Sequence, residues 1–284
     1  MLNRFRVYLS FVRFSHSVFA LPFALAGALL ASRHVPIAPV SIVWILLAMV
    51  AARSAAMGFN RLVDARIDAM NPRTANRELP RGAMTLREAT TFVTGALVAF
   101  IYAAWRLNTI CFLLSPIALA IVFWYSLAKR YTTWTQLFLG LAVAVAPVGG
   151  WLAVGGRAGW EPWILALAIG AWVGGFDVLY ACQDLEFDRA QGLRSIPVRF
   201  GVPASLMISR AMHIVAIVCL MALSWVTPLP RLYEQGVIVV AVLLIYEQSL
   251  VRADDLSQVK RAFDLNGYVG ILYLIVLAVS MYVG

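Results

Sequence analysis

The sequence predicts an all-α fold, a polytopic helical bundle that crosses a membrane about nine times. Three observations carry this expectation. Hydrophobic residues make up 62% of the 284 positions and charged residues only 13%, far from the balance of a soluble domain. The mean hydropathy is +0.82. The apolar residues gather into runs at 14–32, 38–58, 88–106, 109–128, 134–154, 161–182, 205–226, 235–251 and 266–283, each near the length a helix needs to cross about 30 Å of hydrocarbon. One integral-membrane domain over 1–284 is expected.

The net charge of +9 raises nucleic acid as a partner, but the placement of the charge argues against it. With the N-terminus inside, the inner segments hold Arg4, Arg6 and Arg13; Arg61, Arg66, Arg73, Arg77, Arg81 and Arg87; Lys129 and Arg130; Arg189, Arg194, Arg199 and Arg210; and Arg252, Lys260 and Arg261. Only Arg33, Arg106, Arg157 and Arg231 fall outside, and Arg53 lies within the second run. This asymmetry follows the positive-inside rule and orients the chain. The lipid bilayer is the partner it implies, with no nucleic acid.

Residues 1–13 read as an interfacial lead, with Phe5, Val7, Tyr8 and Leu9 at the headgroup boundary. Arg13 and His16 interrupt the apolar run and no convincing cleavage site follows, so a retained first helix is expected rather than a removed signal peptide. Arg13, Ser15, His16 and Ser17 cluster at its inner end, where they either snorkel and satisfy backbone or bind an acceptor.

The second run leads into NRLVDARIDAMNPRTANRELPRG, residues 60–82. If the helix continues, Asn60, Asp64 and Asp68 stack on one face with Cβ atoms roughly 5–6 Å apart. Two ionised carboxylates that close repel by on the order of 3 kcal/mol at an effective dielectric of about 20. Such a row calls for a cation. Arg53 precedes Asn60 by seven residues and points the same way. It either pairs with a motif carboxylate or awaits an anionic or phenolic substrate. Residues 69–87 form a basic loop broken by Pro72 and Pro80, with Asn71-Pro72-Arg73-Thr74 as a turn and then a short helix start. Arg73 and Arg77 either stay solvated or touch phosphate oxygens.

The fourth run ends in YSLAKRY, which sets Tyr125 and Lys129 one turn apart beside Arg130. Beside two acidic motifs, Lys129 is a diphosphate ligand candidate. The fifth run carries Gly140, Pro147, Gly149 and Gly150, suited to close packing or bending around a cavity. The sixth contains Asp177 and Tyr180 and exits through Asp184 and Asp188. An intramembrane Asp is a functional candidate by default. Asp184 and Asp188 repeat the four-residue spacing, and together with Asp64 and Asp68 they make an oxygen-rich site suited to Mg2+, which commonly bridges to substrate phosphates. Runs seven to nine carry few polar residues. Cys111, Cys182 and Cys219 stand singly, in neither disulfide nor zinc spacing.

These segments together resemble the UbiA family of intramembrane aromatic prenyltransferases across nearly the whole chain. The resemblance rests on Asn60 to Asp68, NPRTANRELPRG, YSLAKRY and DVLYACQDLEFDRAQGLRSIPVRFG. It implies nine helices around a central cavity open to the membrane, with two Mg2+ ions held between the motifs. It also implies transfer of a polyprenyl chain from polyprenyl diphosphate to an aromatic quinone precursor. Carried over by position, Asn60, Asp64, Asp68, Asp184 and Asp188 would hold the metals. Lys129, Arg73 and Arg77 would contact diphosphate oxygens, with Tyr125, Arg130, Asp177 and Tyr180 also at the substrate, and Arg53 would orient the carboxylate of an aromatic acid acceptor. Many members have Asp after the leading Asn, whereas Arg61 stands here. The opening RFSHSVFALPFALAG is similar to a bacterial subgroup often labelled 4-hydroxybenzoate polyprenyltransferase, some members of which serve menaquinone assembly from a dihydroxynaphthoate instead. A bacterial inner membrane with the site toward the cytoplasm is therefore expected. A cation-coupled transporter is the rival class, since intramembrane carboxylates also suit ion coupling.

Overall fold

The structure is a computed structural model and describes residues 2–12 and 20–283. It is helical throughout its ordered elements: α1 (Leu2–Phe11), α2 (Leu21–Ala31), α3 (Pro39–Met70), α4 (Leu86–Leu107), α5 (Thr109–Ala128), α6 (Thr135–Ala153), α7 (Glu161–Ala181), a 3-10 turn (Cys182–Asp184), α8 (Leu185–Ala190), α9 (Ile196–Val226), α10 (Arg231–Ser249) and α11 (Val259–Val283). Among the described residues, seven helices are long and apolar enough to cross a membrane. They coincide with seven of the nine predicted runs. At the position of the first run, α2 is shorter, and Arg13, Ser15, His16 and Ser17 lie outside the described residues. At the position of the eighth, α10 is weighed down by Glu234, Gln235, Glu247 and Gln248 near its ends.

Local chemistry sets the helix boundaries. Prolines open α2, α3, α7 and α9, where the missing N–H has no intrahelical partner to lose. Thr85 caps α4 in a reciprocal box with Glu88. Asn108 caps α5 by accepting from the Cys111 amide at 2.9 Å, and its own amide donates to the Leu152 carbonyl of α6 at 2.7 Å. Within α9 the helix breaks at Gly201, whose φ of 77° only glycine adopts cheaply, two residues before Pro203.

Phe23, Leu165, Ile169, Trp172, Leu220, Tyr233 and Tyr273 sit in one buried core shared by α2, α7, α9, α10 and α11. Small residues let backbones meet. A Cβ on Gly150 of α6 would run into the Ala24 carbonyl of α2, and one on Gly27 of α2 into the Pro147 carbonyl. Gly140 of α6 meets Gly170 of α7 in the same way. The outer surface is apolar, with Val43, Leu113, Ile214, Trp225 and Ile245 all exposed, as a lipid-facing bundle requires.

Two local expectations are corrected. The turn expected at Asn71-Pro72-Arg73-Thr74 forms, but the short helix expected after it does not, and residues 71–85 are turns and bends. Asn71 Oδ1 takes the Arg73 amide at 2.9 Å, while the Thr74 hydroxyl donates to the Asp68 carbonyl at 3.0 Å, side-chain bonds that favour a turn where α3 ends. The second acidic motif is not one smooth helical row either. The 3-10 turn tightens the chain between α7 and Asp184, and Asp188 follows on α8.

Candidate functional site

The long helix α3 runs past the predicted end at 58 to Met70 without a break. Asn60, Asp64 and Asp68 therefore do share one face. Asp64 and Asp68 are 2% and 5% exposed. Carboxylates this buried need cationic partners, and the remainder of the chain brings them. Lys129 Nζ, at the end of α5, donates to Asp64 Oδ2 at 2.5 Å, and Arg130 Nη2 donates to Asp64 Oδ1 at 2.7 Å. Asn60 Nδ2 reaches Asp64 Oδ2 at 3.4 Å. Arg77 Nη1 donates to both oxygens of Asp68, at 2.7 and 2.8 Å.

The second motif is closed from the same loop. Arg73 grips Asp184 with two parallel hydrogen bonds, Nε to Oδ1 at 2.9 Å and Nη2 to Oδ2 at 2.5 Å, and its Nη1 donates to the Tyr180 hydroxyl at 3.0 Å. This planar fork suits carboxylate and phosphate alike. Burial works against the charged guanidinium, but the hydrogen bond and charge of Asp184 outweigh it and hold the Arg73 proton more firmly than water does. Asn71 Nδ2 also reaches Asp184 Oδ1, at 3.3 Å.

All four motif aspartates line one polar cavity of about 220 Å³, together with Asn60, Arg73, Arg77, Tyr125, Lys129, Asp177 and Tyr180. Two acidic clusters separated by more than a hundred residues thus meet. A second cavity of about 190 Å³, walled by Ile45, Met49, Phe100, Leu114, Leu119 and other apolar residues, adjoins it, and Tyr125 and Leu139 line both. Arg53 sits on the wall of this apolar cavity rather than in the carboxylate cavity. Arg130 reaches the site through Asp64. Among the described residues no three acidic or metal-binding side chains converge as a ready cation cage. Instead Asp64, Asp68 and Asp184 each face a basic side chain, while Asp188 lines the cavity without an ion pair among the described residues.

The sequence reading left Asn71, Thr74, Gln136 and Arg194 out of the site, and the structure places all four on the polar cavity. Arg194 had counted only toward the inner positive charge. Its backbone amide donates to the Lys129 carbonyl at 2.7 Å and its guanidinium to the Tyr131 carbonyl at 2.6 Å, which ties the Lys129 turn to the loop ahead of α9. Its position in the segment after the second acidic motif was the available signal.

The site is thus a buried carboxylate cavity ringed by cations and set beside an apolar chamber within a membrane bundle. Residues 20–275 match the model of the UbiA prenyltransferase family, and the chain belongs to that family. It is a prenyltransferase, which sets the transporter reading aside. The chain is similar to the 4-hydroxybenzoate octaprenyltransferase of Citrobacter koseri, at 35% identity over 247 residues covering 85% of this chain and 84% of that protein. The enzyme of the same name from Escherichia fergusonii is 34% identical over 242 residues, covering 84% and 83%. Among solved structures, the apo form of a UbiA homolog from Aeropyrum pernix K1 matches with a TM-score of 0.86 and 35% identity, over 94% of this chain and 98% of that one. A UbiA homolog from Archaeoglobus fulgidus bound to GPP and Mg2+ shares the fold, with a TM-score of 0.69 and 18% identity, over 96% and 99%.

Proposed function

We propose that the chain transfers a polyprenyl group from polyprenyl diphosphate to 4-hydroxybenzoate, with Mg2+ as its metal, at the cytoplasmic face of a bacterial inner membrane. The observation that carries this reading is the junction at Tyr125 and Leu139 between a charged cavity and an apolar one. A diphosphate fits the first and a prenyl chain the second. The relatives named for octaprenyl transfer to 4-hydroxybenzoate support the acceptor, and the excess of inner Lys and Arg supports the orientation.

The donor chemistry fits the metal. Asn60, Asp64, Asp68, Asp184 and Asp188 offer oxygen ligands on one cavity, the set a hard divalent cation prefers. When bound, Mg2+ would neutralise charge building on the departing diphosphate. The protein's own residues do the rest. Arg73, Arg77, Lys129 and Arg130 swing from carboxylate to phosphate oxygens and stabilise the leaving group as the allylic C–O bond breaks, its electron pair going to diphosphate. Tyr125 and the apolar wall keep water from the cation. Arg53 orients the acceptor through its carboxylate. The ring carbon beside the hydroxyl forms the new C–C bond, and the ring proton passes to a diphosphate oxygen.

The test is purified protein with one long-chain polyprenyl diphosphate and either 4-hydroxybenzoate or dihydroxynaphthoate. Expected is diphosphate release with prenylated 4-hydroxybenzoate, abolished by EDTA and restored by Mg2+. Prenylation of the naphthoate alone overturns the acceptor, and EDTA-insensitive turnover overturns the metal.

A further inference from the structure

Arg61 follows the metal-binding candidate Asn60 directly, yet its side chain turns away from the polar cavity. It is 3% exposed and its Nη1 lies 3.4 Å from Glu78 Oε2, with Glu78 itself 5% exposed. Ser10 of α1 donates its hydroxyl to the other oxygen, Glu78 Oε1, at 2.5 Å. The Glu78 carbonyl in turn accepts from the amides of Ala83 and Met84, at 2.9 and 3.2 Å. Phe11, Val12, Met84 and Ala89, close in sequence to its members, form a buried apolar cluster, while Ser10 itself is exposed.

Two sets of ion pairs fasten the loop that carries Arg73 and Arg77 to the bundle, beside the hydrogen bonds of Thr74 to the Asp68 carbonyl and of Asn71 to Asp184. One is the pair of arginine forks onto Asp68 and Asp184. The other is the Arg61–Glu78 pair, which runs back to α3 and touches no motif carboxylate. Under the proposed function the forks must open, because the same guanidinium groups move to phosphate and the same carboxylates to the metal. The second set can stay closed and help to hold the loop during that exchange.

We infer that Arg61 and Glu78, with Ser10, are positioning residues that keep the loop bearing Arg73 and Arg77 over the cavity while those arginines exchange aspartate for substrate phosphate. The inference rests on the proposed diphosphate chemistry. It also accounts for an arginine at a position where an acid beside the metal site was expected. A basic residue there can only be buried if an acid meets it, and Glu78, next to Arg77, supplies that acid from the very segment that needs holding.

The test compares wild type with Arg61→Met/Glu78→Met, which replaces both charges by apolar side chains and leaves no lone buried charge behind. Expected is an unchanged thermal midpoint, kcat within twofold, and KM for polyprenyl diphosphate raised about tenfold, with KM for the aromatic acceptor unmoved. An unchanged donor KM in a folded, active variant overturns the inference while leaving the enzyme reading intact. Amide hydrogen exchange on the wild type covers the case in which the variant does not fold. With Mg2+ and an unreactive prenyl diphosphate analogue bound, the Ala83 and Met84 amides should stay as protected as in the free protein. Fast exchange of both on binding overturns it. Absence of analogue binding to wild type would instead count against the proposed function.

Discussion

Asp64→Asn isolates the central claim, because the amide keeps the shape of the carboxylate while removing its charge and one acceptor oxygen. Asp64 meets Lys129 at 2.5 Å and Arg130 at 2.7 Å, and both cationic side chains are 25% exposed. Deleting one partner of a fully buried ion pair costs about 3–5 kcal/mol. Here the loss is smaller, since Asn keeps one oxygen for Arg130 and water can reach both cations. A charged hydrogen bond contributes about 1.5–3 kcal/mol, and the Lys129 contact is the one surrendered, so a stability loss of roughly 2 kcal/mol is expected. Catalysis suffers more. Removing one preorganised electrostatic group typically lowers kcat by about 10²–10³-fold, and a charge that under the proposed function also serves the metal belongs at the upper end. Thermal unfolding in detergent reads the first quantity and diphosphate release the second. A folded Asp64→Asn protein with activity within threefold of wild type would refute the assignment.

Three further outcomes follow from the geometry. Arg73→Gln removes the fork on Asp184 and the bond to Tyr180, so the KM for polyprenyl diphosphate should rise about 10–100-fold, on the order of 1.4–2.7 kcal/mol of binding, as steady-state kinetics would show; an unchanged KM places Arg73 outside the substrate site. Gly150→Leu drives a side chain into the Ala24 carbonyl of α2, and the overpacking should cost about 1–3 kcal/mol or more, measured as a lowered thermal midpoint, whereas the same change at Gly149, with open space beside it, should leave the midpoint within a degree or two. Gly149 also lines the apolar cavity. Gly149→Phe should therefore raise KM for long-chain donors while sparing a five-carbon donor, and equal effects on both would show that the chain lies elsewhere.

Much of this enzyme was legible in its residues because the relevant signals are local. Apolar runs report helices that need no partner to be recognised, and four-residue spacing within an uninterrupted helix fixes a shared face. Asn60, Asp64 and Asp68 could be grouped on that basis alone, and Tyr125 with Lys129 likewise. Where a side chain had a choice of local bonds, the reading was weaker. Asn71 and Thr74 bonded to backbone groups in the turn that ends α3, the segment after it stayed in turns, and a 3-10 turn interrupted the second motif. Arg53 pointed along the correct face of α3, but nothing in its neighbours told whether acid or apolar cavity would meet it.

What the sequence by itself determined is the membrane bundle and the inventory of motif aspartates with their oxygen chemistry. Only the tertiary structure decided which cation answers which acid: Arg73 with Asp184, Arg77 with Asp68, Lys129 and Arg130 with Asp64, and Arg61 with Glu78. The reason is physical. Helical period is a property of a few consecutive residues, whereas charge pairing follows from how α3, α5 and α7 pack, and a basic side chain a hundred positions away in sequence becomes a neighbour only when those helices pack.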